Sequence, residues 1–552
     1  MFGRRFIHHY PNVKINKLIK MKNSIFAIFL FIIAQLSYAQ TPTISFQETY
    51  GGDDYEGVKD LIQLSNGDLV ICGFSKSNIS GNKTDNGFGL EDYWILQIDS
   101  SGAIIWQTTI GGTGIDRANS ILQTSDGGFL INGNSNSPAS GNKTSPNNGD
   151  WDSWIVKLSA TGVIEWQKSF GGQDPDYGIS LVPSADGNYL ICNTSQSGVS
   201  GSKTQPSKGG LDFWTIKISP SGTILDQKVY GGSGDEYVQS ATVQGKKVIL
   251  TGVSNSDTSG DKAQNSYGLF DIWTIIIDNS GTILNSSTEG GADFEGVKRV
   301  IYQNNELVLF GTSSSDISGS KTSVNYGWDD YWCVTLDTNL NRKRETVFGG
   351  LDTEANFGDV GGVYYSAIHQ YVVAGSSLSD ISGNKTIGSF DSNYGDLWMV
   401  GFDTLGDKQF EFVAGGDQQE VFGQIIETAN NTLKVIGISH SGITGNKSVI
   451  NKGLGDIWLI ELDFNLSVET IVDNNQLQVY PNPTSRVLNF TLPMTVAQSQ
   501  VTLTDVTGKE VYSKQLDLVL EHQINVSYMP KGIYVLSVTS KEFQYTRKVI
   551  ID

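Results

Sequence analysis

The sequence predicts an all-β protein: a seven-bladed β-propeller of four-stranded blades, followed by a small immunoglobulin-like β-sandwich. A unit of about sixty residues is repeated seven times, and each unit contains four short runs typical of strands. The repetition ends near Asp463, where a different strand pattern begins. The expected domains are a leader over 1–39, the propeller over 40–464, a linker over 465–476 and the second domain over 477–552.

Residues 21–39 have the pattern of a secretory signal peptide. A basic residue precedes an apolar run of about a dozen residues, too short to span a bilayer, and small residues follow it. We predict cleavage between Ala39 and Gln40, with translation starting at Met1 or Met21. No cysteine follows the cleavage position, so a lipid anchor is not expected. No other segment is long and apolar enough to be predicted as a transmembrane span, so we expect an exported protein.

Three landmarks recur in each unit. A Gly-Gly pair begins at Gly51, Gly111, Gly171, Gly231, Gly290, Gly349 and Gly415. A Ser/Thr-Gly-x-Lys motif ends at Lys83, Lys143, Lys203, Lys262, Lys321, Lys385 and Lys447. An Asp-x-Trp motif comprises Asp92 and Trp94, Asp152 and Trp154, Asp212 and Trp214, Asp271 and Trp273, Asp330 and Trp332, Asp396 and Trp398, and Asp456 and Trp458. Such regular spacing indicates a copied structural unit.

The strand pattern within a unit predicts a four-stranded antiparallel blade. Short strand-like runs are joined by turns that carry Gly with Asp, Asn or Ser, and a longer polar loop joins the second and third runs. The seventh unit lacks a fourth run, whereas residues 43–50 match that run. We therefore predict that residues 43–50 close the ring by completing the last blade.

Composition excludes several functions. The formal net charge of -20 argues against a nucleic-acid binder, because phosphate recognition requires a basic surface. The three cysteines, Cys72, Cys192 and Cys333, are widely spaced, which excludes a disulfide framework or a thiolate zinc site built on paired cysteines. We expect all three to be buried apolar residues.

The Asp-x-Trp residues are predicted to be structural. An enzyme needs one site, whereas seven equal carboxylates at strand starts are better suited to accept hydrogen bonds from the preceding loop. Strand alternation places the seven tryptophans between blades, in the core. Trp151 and Trp328 lie instead in the polar loops, and we predict that they are the candidates for a carbohydrate platform.

The long loops and the acidic loops after Gly-Gly should share one rim of the propeller. If the protein binds a ligand, this rim is the expected place, since loops carry function on rigid scaffolds. We expect the lysines and carboxylates of the rim to be solvated and loosely paired. Calcium is a weaker alternative, because the loops are rich in oxygen ligands but lack the order of an EF-hand. No other cofactor is expected.

No catalytic motif is present. The Gly-Asn-Lys-Thr stretch ending at Thr144 departs from a phosphate-binding loop, which needs Gly directly before Lys and a helix after it. A nucleophile elbow and an HExxH motif are absent from the sequence. A carboxylate pair for polysaccharide cleavage has no fixed spacing in a sequence, so this activity is kept as an alternative. A catalytic site should contain polar residues that are not repeated in all seven units. The sixth unit is irregular around 359–363 and 389–391, so a catalytic site would be expected there.

The last 75 residues resemble a known sorting domain. The residues that carry the resemblance are Tyr480, Pro481, Asn482 and Pro483, the turn over 505–509, Gly532 with Tyr534, and Lys548 in the terminal strand. This pattern is similar to the type A C-terminal sorting domain of the type IX secretion system of Bacteroidota. The resemblance implies Sec export to the periplasm, passage through the type IX machinery, and removal of this domain on release or surface attachment.

The repeats are similar to the Gly-Gly/Asp-x-Trp repeat proteins that often precede such a domain, a resemblance that informs architecture only. We therefore predict a monomeric, secreted or surface-displayed, non-catalytic module that binds a glycan or a protein. A propeller-borne hydrolase or lyase of extracellular polysaccharide and a purely structural surface protein are the alternatives.

Overall fold

The computed structural model describes residues 41–355, 359–391, 393–464, 477–492, 499–506, 509–516, 519–539 and 544–552. The predicted leader with its cleavage position at Ala39 and Gln40, and the predicted linker over 465–476, lie outside these residues. The chain divides into two compact units at Phe464. All regular elements described in both units are β-strands, and among the described residues no helix is long and apolar enough to cross a membrane.

The described part of the first unit contains seven four-stranded antiparallel sheets. In sheets 1 to 6, four consecutive strands pair in chain order. Sheet 1 contains β2 (Glu56–Gln63), β3 (Leu69–Ser75), β4 (Asp92–Ile98) and β5 (Ile104–Ile110); sheet 2 contains β6 (Asp116–Gln123), β7 (Phe129–Ser135), β8 (Asp152–Leu158) and β9 (Ile164–Phe170); sheet 3 contains β10 (Asp176–Pro183), β11 (Tyr189–Ser195), β12 (Asp212–Ile218) and β13 (Ile224–Tyr230).

The next three sheets repeat the same order. Sheet 4 contains β14 (Glu236–Gln244), β15 (Lys247–Ser254), β16 (Asp271–Ile277) and β17 (Ile283–Glu289); sheet 5 contains β18 (Glu295–Gln303), β19 (Glu306–Ser313), β20 (Asp330–Asp337) and β21 (Arg342–Phe348); sheet 6 contains β22 (Val360–Tyr365), β23 (Gln370–Ser377), β24 (Asp396–Phe402) and β25 (Lys408–Ala414).

Sheet 7 joins the two ends of the unit. It contains β26 (Glu420–Glu427), β27 (Leu433–Ser439), β28 (Asp456–Asp463) and, as its fourth strand, β1 (Thr43–Tyr50). The pairing of β1 with β28 runs from Thr43 opposite Asp463 to Tyr50 opposite Ile457. The first strand of each sheet contacts the first strand of the next, and β26 contacts β2, so the sheets form a closed ring around one axis. We call these first strands the inner strands.

The core lies between neighbouring sheets. Trp154 of β8 packs against Tyr93 and Ile95 of sheet 1, and its ring centroid is 4.8 Å from that of Tyr93. The other Asp-x-Trp tryptophans occupy equivalent clusters, and all seven are at most 1% exposed. Cys72, Cys192 and Cys333 are buried and free. Alternation along each third strand directs one set of side chains toward each neighbouring sheet.

The second unit contains two sheets in its described residues. Its strands are β29 (Gln478–Tyr480), β30 (Val487–Thr491), β31 (Gln500–Asp505), β32 (Glu510–Gln515), β33 (Glu521–Asn525), β34 (Gly532–Thr539) and β35 (Gln544–Ile551). The sheet orders are β29-β30-β33 and β32-β31-β34-β35, all antiparallel. Leu488 and Phe490 of the first sheet share a buried cluster with Leu503 and Leu536 of the second.

Candidate functional site

The long loops between the second and third strands lie against the Gly-Gly turns at one rim, which we call the loop rim. In the loop of sheet 1, Gly81 adopts a φ of 54°, and a Cβ there would come within 2.3 Å of the Gly51 carbonyl oxygen. The Asn82 N–H donates to that carbonyl at 2.9 Å, and the Asn82 amide oxygen accepts from the Gly51 N–H at 3.2 Å. Glycine is therefore required where loop and turn meet.

The lysines of the Ser/Thr-Gly-x-Lys motifs are not solvated, and the expected loosely paired rim is wrong. All seven are at most 2% exposed. Lys143 shows the reason: its ammonium lies 5.1 Å from the Trp154 ring centroid and donates to the Ser145 carbonyl at 2.5 Å and to Ser169 Oγ at 3.0 Å. Burial lowers the pKa of Lys143 to about 8. These lysines hold the loops to the sheets.

One carboxylate in each acidic loop is also buried. Six of them begin inner strands, and the seventh precedes β22: Glu56, Asp116, Asp176, Glu236, Glu295 and Glu420 begin the strands, and Glu354 is the seventh. Asp116 Oδ2 accepts hydrogen bonds from the Gly112 N–H and the Ser137 hydroxyl, both at 2.8 Å. Burial raises the pKa of Asp116. Most of the remaining loop acids, such as Asp53 and Asp174, are exposed, whereas Asp54 and Asp235 are half-buried.

The Asp-x-Trp carboxylates accept hydrogen bonds from the preceding loop. Asp92 Oδ2 accepts from the Phe88 N–H at 2.7 Å, and Asp152 Oδ2 accepts from the Asn148 N–H at 2.6 Å. Asp212, Asp271, Asp330, Asp396 and Asp456 have equivalent bonds. Their second oxygens are buried without a hydrogen-bond partner among the described residues. All seven aspartates are at most 1% exposed.

Trp151 and Trp328 lie in loops of different sheets and are not brought together. Trp328, in the sheet 5 loop, is 74% exposed. Trp151, in the sheet 2 loop, is only partly exposed; its ring centroid is 6.3 Å from that of Tyr177, and its carbonyl accepts from the Asp176 N–H at 2.7 Å. Only Trp328 presents a large open face.

Trp328 has aromatic neighbours that the sequence analysis missed. The loops of sheets 4, 5 and 6 expose five aromatic side chains, which we call the aromatic arc: Tyr267, Tyr326, Trp328, Phe390 and Tyr394. These loops touch one another, because a Cβ on Gly319 would lie 2.7 Å from Tyr267, and one on Gly383 would lie 2.8 Å from Tyr326. Part of the signal was present in the sequence, since an aromatic residue lies four residues before the Asp of three Asp-x-Trp motifs, as Phe88, Tyr267 and Tyr326.

The ring axis contains a second candidate site, a cavity of about 300 Å³ lined by all seven inner strands. In six of these strands the pairing with the next strand skips the fourth residue, which is left unpaired at a β-bulge. Bulges re-aim side chains, often beside functional sites. The six residues that line the cavity in this way are Lys59, Asn119, Ile179, Gln239, Lys298 and Gly423.

The charged side chains that line this axial cavity differ from one inner strand to the next. Lys59 Nζ pairs with Asp359 at 3.1 Å, and Lys298 Nζ donates to Gln239 Oε1 at 2.9 Å. Asp60 accepts from the Leu61 and Ile121 N–H groups at 2.9 and 3.0 Å. Burial raises the pKa of Asp60, opposed by the Arg299 guanidinium. The irregular sixth unit supplies Asp359.

Both carboxylates of the cavity are thus already engaged, Asp359 by an ion pair and Asp60 by backbone amides. Among the described residues, no group of three or more His, Cys, Asp or Glu side chains could hold a metal ion. The cavity can offer charge and hydrogen bonds to a small guest.

In the second unit, the structure joins two of the motif residues. Asn482 donates through its side-chain amide to the Lys548 carbonyl and accepts from the Ile550 N–H, each at 2.8 Å. Tyr480 is exposed, and Pro481 and Pro483 follow cis peptide bonds. Gly532 begins β34, and the Tyr534 hydroxyl donates to the Pro530 carbonyl at 2.7 Å. Residues 507 and 508 of the predicted turn lie outside the described residues.

Comparison with known proteins gives one family match and weaker likenesses. Residues 478–552 match the secretion system C-terminal sorting domain family. The chain is 22% identical over 384 residues to the regulatory protein FlaEY of Caulobacter vibrioides, a match covering 63% of this chain and 39% of FlaEY. The chain thus spans about two fifths of that relative's length. The sorting domain indicates secretion by the type IX system, to the medium or the cell surface.

Two solved structures share low similarity with the chain. The WD40 domain of Neurospora crassa Pan2 is 10% identical, with a TM-score of 0.41, over 76% of this chain and 96% of that one. The extracellular region of plexin A4 is 8% identical, with a TM-score of 0.44, over 91% of this chain and 61% of that one.

Proposed function

We propose that this chain, secreted by the type IX system, is a non-catalytic module that binds an extracellular glycan through the loop rim of a seven-bladed β-propeller. The aromatic arc carries the proposal. A secreted protein meets soluble and surface-bound polysaccharides, and exposed aromatic faces are the groups that stack on the apolar faces of sugar rings. A protein ligand at the same rim is the second possibility, distinguished by the test below.

The arc has the properties of a binding surface. Its five side chains are between 39% and 74% exposed and lie on three neighbouring loops. Exposed apolar groups gathered on one face of a soluble protein mark interaction sites, whereas scattered ones do not. Exposed apolar side chains continue beyond the arc on the loops of sheets 7 and 1, as Leu454, Phe88 and Leu90, whereas the equivalent positions of sheets 2 and 3 carry Asn148, Asp150, Lys208 and Gly210.

The scaffold beneath the arc is rigid. The Tyr326 N–H donates to Asp330 Oδ2, and Lys321 Nζ donates to the Ser315 and Ser323 carbonyls at 2.6 and 2.9 Å. Such support holds the loop of sheet 5 in one conformation before a ligand arrives. Pre-organisation reduces the entropy lost on binding, which favours a recognition role for these loops.

Several finer features belong to the same proposal. The seven sheets would be the blades of the propeller, and the second unit would be an immunoglobulin-like sandwich removed after export. Residues 1–39 would act as the signal peptide for Sec export to the periplasm, and the mature protein would be a monomer without a resident metal. The charged axial cavity is where an enzyme would differ between blades, but both its carboxylates are engaged, which favours binding over hydrolysis.

The test uses the mature chain from Gln40 and a panel of insoluble polysaccharides, scoring retention on the polymer and release of new reducing or unsaturated ends. We expect retention without new ends, and loss of retention in Trp328→Ala. Leu405→Ala is the matched control, because Leu405 is 76% exposed but lies in the tight turn between β24 and β25. New ends would indicate an enzyme, and the absence of both signals would contradict a glycan ligand.

A further inference from the structure

The axial cavity has a different chemistry from the loop rim and supports a separate site. Five charged side chains line it: Lys59, Lys298 and Arg299 are cationic, and Asp60 and Asp359 are anionic. The wall therefore has a net positive charge inside a chain whose formal net charge is -20. A cationic cavity with low-dielectric walls in an acidic protein attracts an anion.

Two of the three cations lack a carboxylate at ion-pair distance. Asp359 is engaged by Lys59, and among the described residues no carboxylate lies within 4.0 Å of Lys298 Nζ or of the Arg299 guanidinium. Arg299 Nε is also buried without a hydrogen-bond partner in the part of the chain that the structure describes. This N–H is therefore free of protein partners in that part of the chain and can donate to an acceptor placed in the cavity.

Neutral polar groups complete the wall. Asn119, Gln239 and Ser180 line the cavity beside the cations, and the buried amide oxygen of Asn134 has no partner among the described residues. Amides and hydroxyls suit the hydroxyl groups of a guest, and Lys298 and Arg299 suit its acid. The volume of about 300 Å³ lies at the lower end of small-molecule pockets, which limits the guest to about one sugar ring.

We propose that the axial cavity binds a small polyhydroxylated carboxylate, the chemistry of a monomeric sugar acid. The carboxylate bridges Lys298 and Arg299, while Asn119, Asn134 and Gln239 bind hydroxyl groups. The guest lies on the axis of the ring, among residues of the inner strands and Asn134 of β7. This site is independent of the aromatic arc and does not rest on the proposed function.

Burial and the nearby Lys59 lower the pKa of Lys298, while Asp359 raises it. An anion bound beside Lys298 would favour the charged ammonium, so guest and cation would stabilise each other. The free energy of an ion pair enclosed in a protein depends strongly on the geometry of the two groups and on the presence of both charges.

Isothermal titration calorimetry on the mature chain tests the proposal, with D-galacturonate, neutral D-galactose and inorganic phosphate as the three probes. We expect galacturonate to bind at least tenfold more tightly than either of the others. Equal binding of galactose would overturn the role of the cations, equal binding of phosphate would overturn hydroxyl recognition, and no binding of galacturonate would overturn the site.

Variants then locate the site. Lys298→Gln, which removes a cation, should weaken galacturonate binding at least tenfold. Asn119→Asp, an isosteric change that adds a negative charge to the wall, should weaken it by at least the same factor. Lys246→Gln is the matched control, since Lys246 is exposed in the turn between β14 and β15. Circular dichroism and the melting temperature check that each variant folds. Folded Lys298→Gln and Asn119→Asp proteins that keep wild-type affinity would overturn the proposal, whereas Trp328→Ala should leave galacturonate binding unchanged.

Discussion

Replacing Gln47 with methionine tests whether β1 is an integral strand of sheet 7. Gln47 Oε1 accepts hydrogen bonds from the Trp458 indole N–H at 3.3 Å and from the Ser448 N–H at 3.0 Å. Its Nε2 donates to the Asn446 carbonyl at 3.2 Å. Methionine keeps the length and shape of the side chain but removes all three hydrogen bonds.

The expected loss follows from the burial of each partner. Trp458 is fully buried, and leaving a buried donor unsatisfied costs about 1–3 kcal/mol. The two loop bonds contribute about 1 kcal/mol each at most, because water replaces part of them. We therefore expect Gln47→Met to lower the free energy of unfolding by about 2–4 kcal/mol.

The repeats provide matched controls. Gln227 in sheet 3 makes the same three bonds, including one from the Trp214 indole at 3.2 Å. Gln167 in sheet 2 keeps the two loop bonds, but the indole N–H of Trp154 has no partner among the described residues. Gln167→Met should therefore cost only about 1–2 kcal/mol, whereas Gln227→Met should match Gln47→Met.

Urea unfolding followed by tryptophan fluorescence measures these losses as shifts of the midpoint. The expected order is a large shift for Gln47→Met and Gln227→Met and a smaller one for Gln167→Met. A Gln47→Met protein with the wild-type midpoint would refute the role of β1. Equal shifts for all three variants would refute the contribution assigned to the tryptophan hydrogen bond.

Three further predictions concern the ring, the buried acids and the sorting domain. A chain that starts at Gly51 lacks β1 and should unfold at a much lower urea concentration than one that starts at Gln40; equal midpoints would contradict the closure. Burial raises the pKa of four buried carboxyls to about 6, namely those of Asp92, Asp152, Asp212 and Asp271. Because the folded pKa exceeds the unfolded value of 3.8, these groups weaken the fold progressively between pH 3.8 and about 6, and the loss levels off above 6. The midpoint should therefore increase when pH is lowered from 7.5 to 5.5; a lower midpoint would show that other groups dominate. Mass spectrometry of the surface and medium fractions should find the chain without residues 478–552, and a peptide ending at Asp552 would contradict removal.

Much of the strand order could be predicted from the sequence, because each unit repeats the same pattern of strands and turns. The repeat also indicates which residues share a role, and the similarity of residues 43–50 to a fourth strand anticipates the pairing of β1 with β28. Residues that recur in every unit are expected to make the same contact in every sheet. Such residues, the tryptophans among them, therefore mark the core in the sequence.

The state of the repeated lysines could not be predicted in the same way. A lysine in a polar loop usually lies in water, and only the fold shows that Lys143 lies over the Trp154 ring and donates to the Ser145 carbonyl of its own loop. The axial cavity was missed for a related reason. Its residues are the positions that vary between units, such as Lys59, Asn119 and Ile179, and a search for repetition passes over them. The β-bulge that re-aims them toward the axis has no sequence signature of its own.

Amide hydrogen exchange with and without a retained polysaccharide tests the central claim most directly, because it locates the ligand on the ring. Binding through the aromatic arc predicts slower exchange in the long loops of sheets 4, 5 and 6, with unchanged exchange in the tight turns at the opposite rim and in the loops of sheets 2 and 3. Protection at the opposite rim, or equal protection of all seven long loops, would contradict the account.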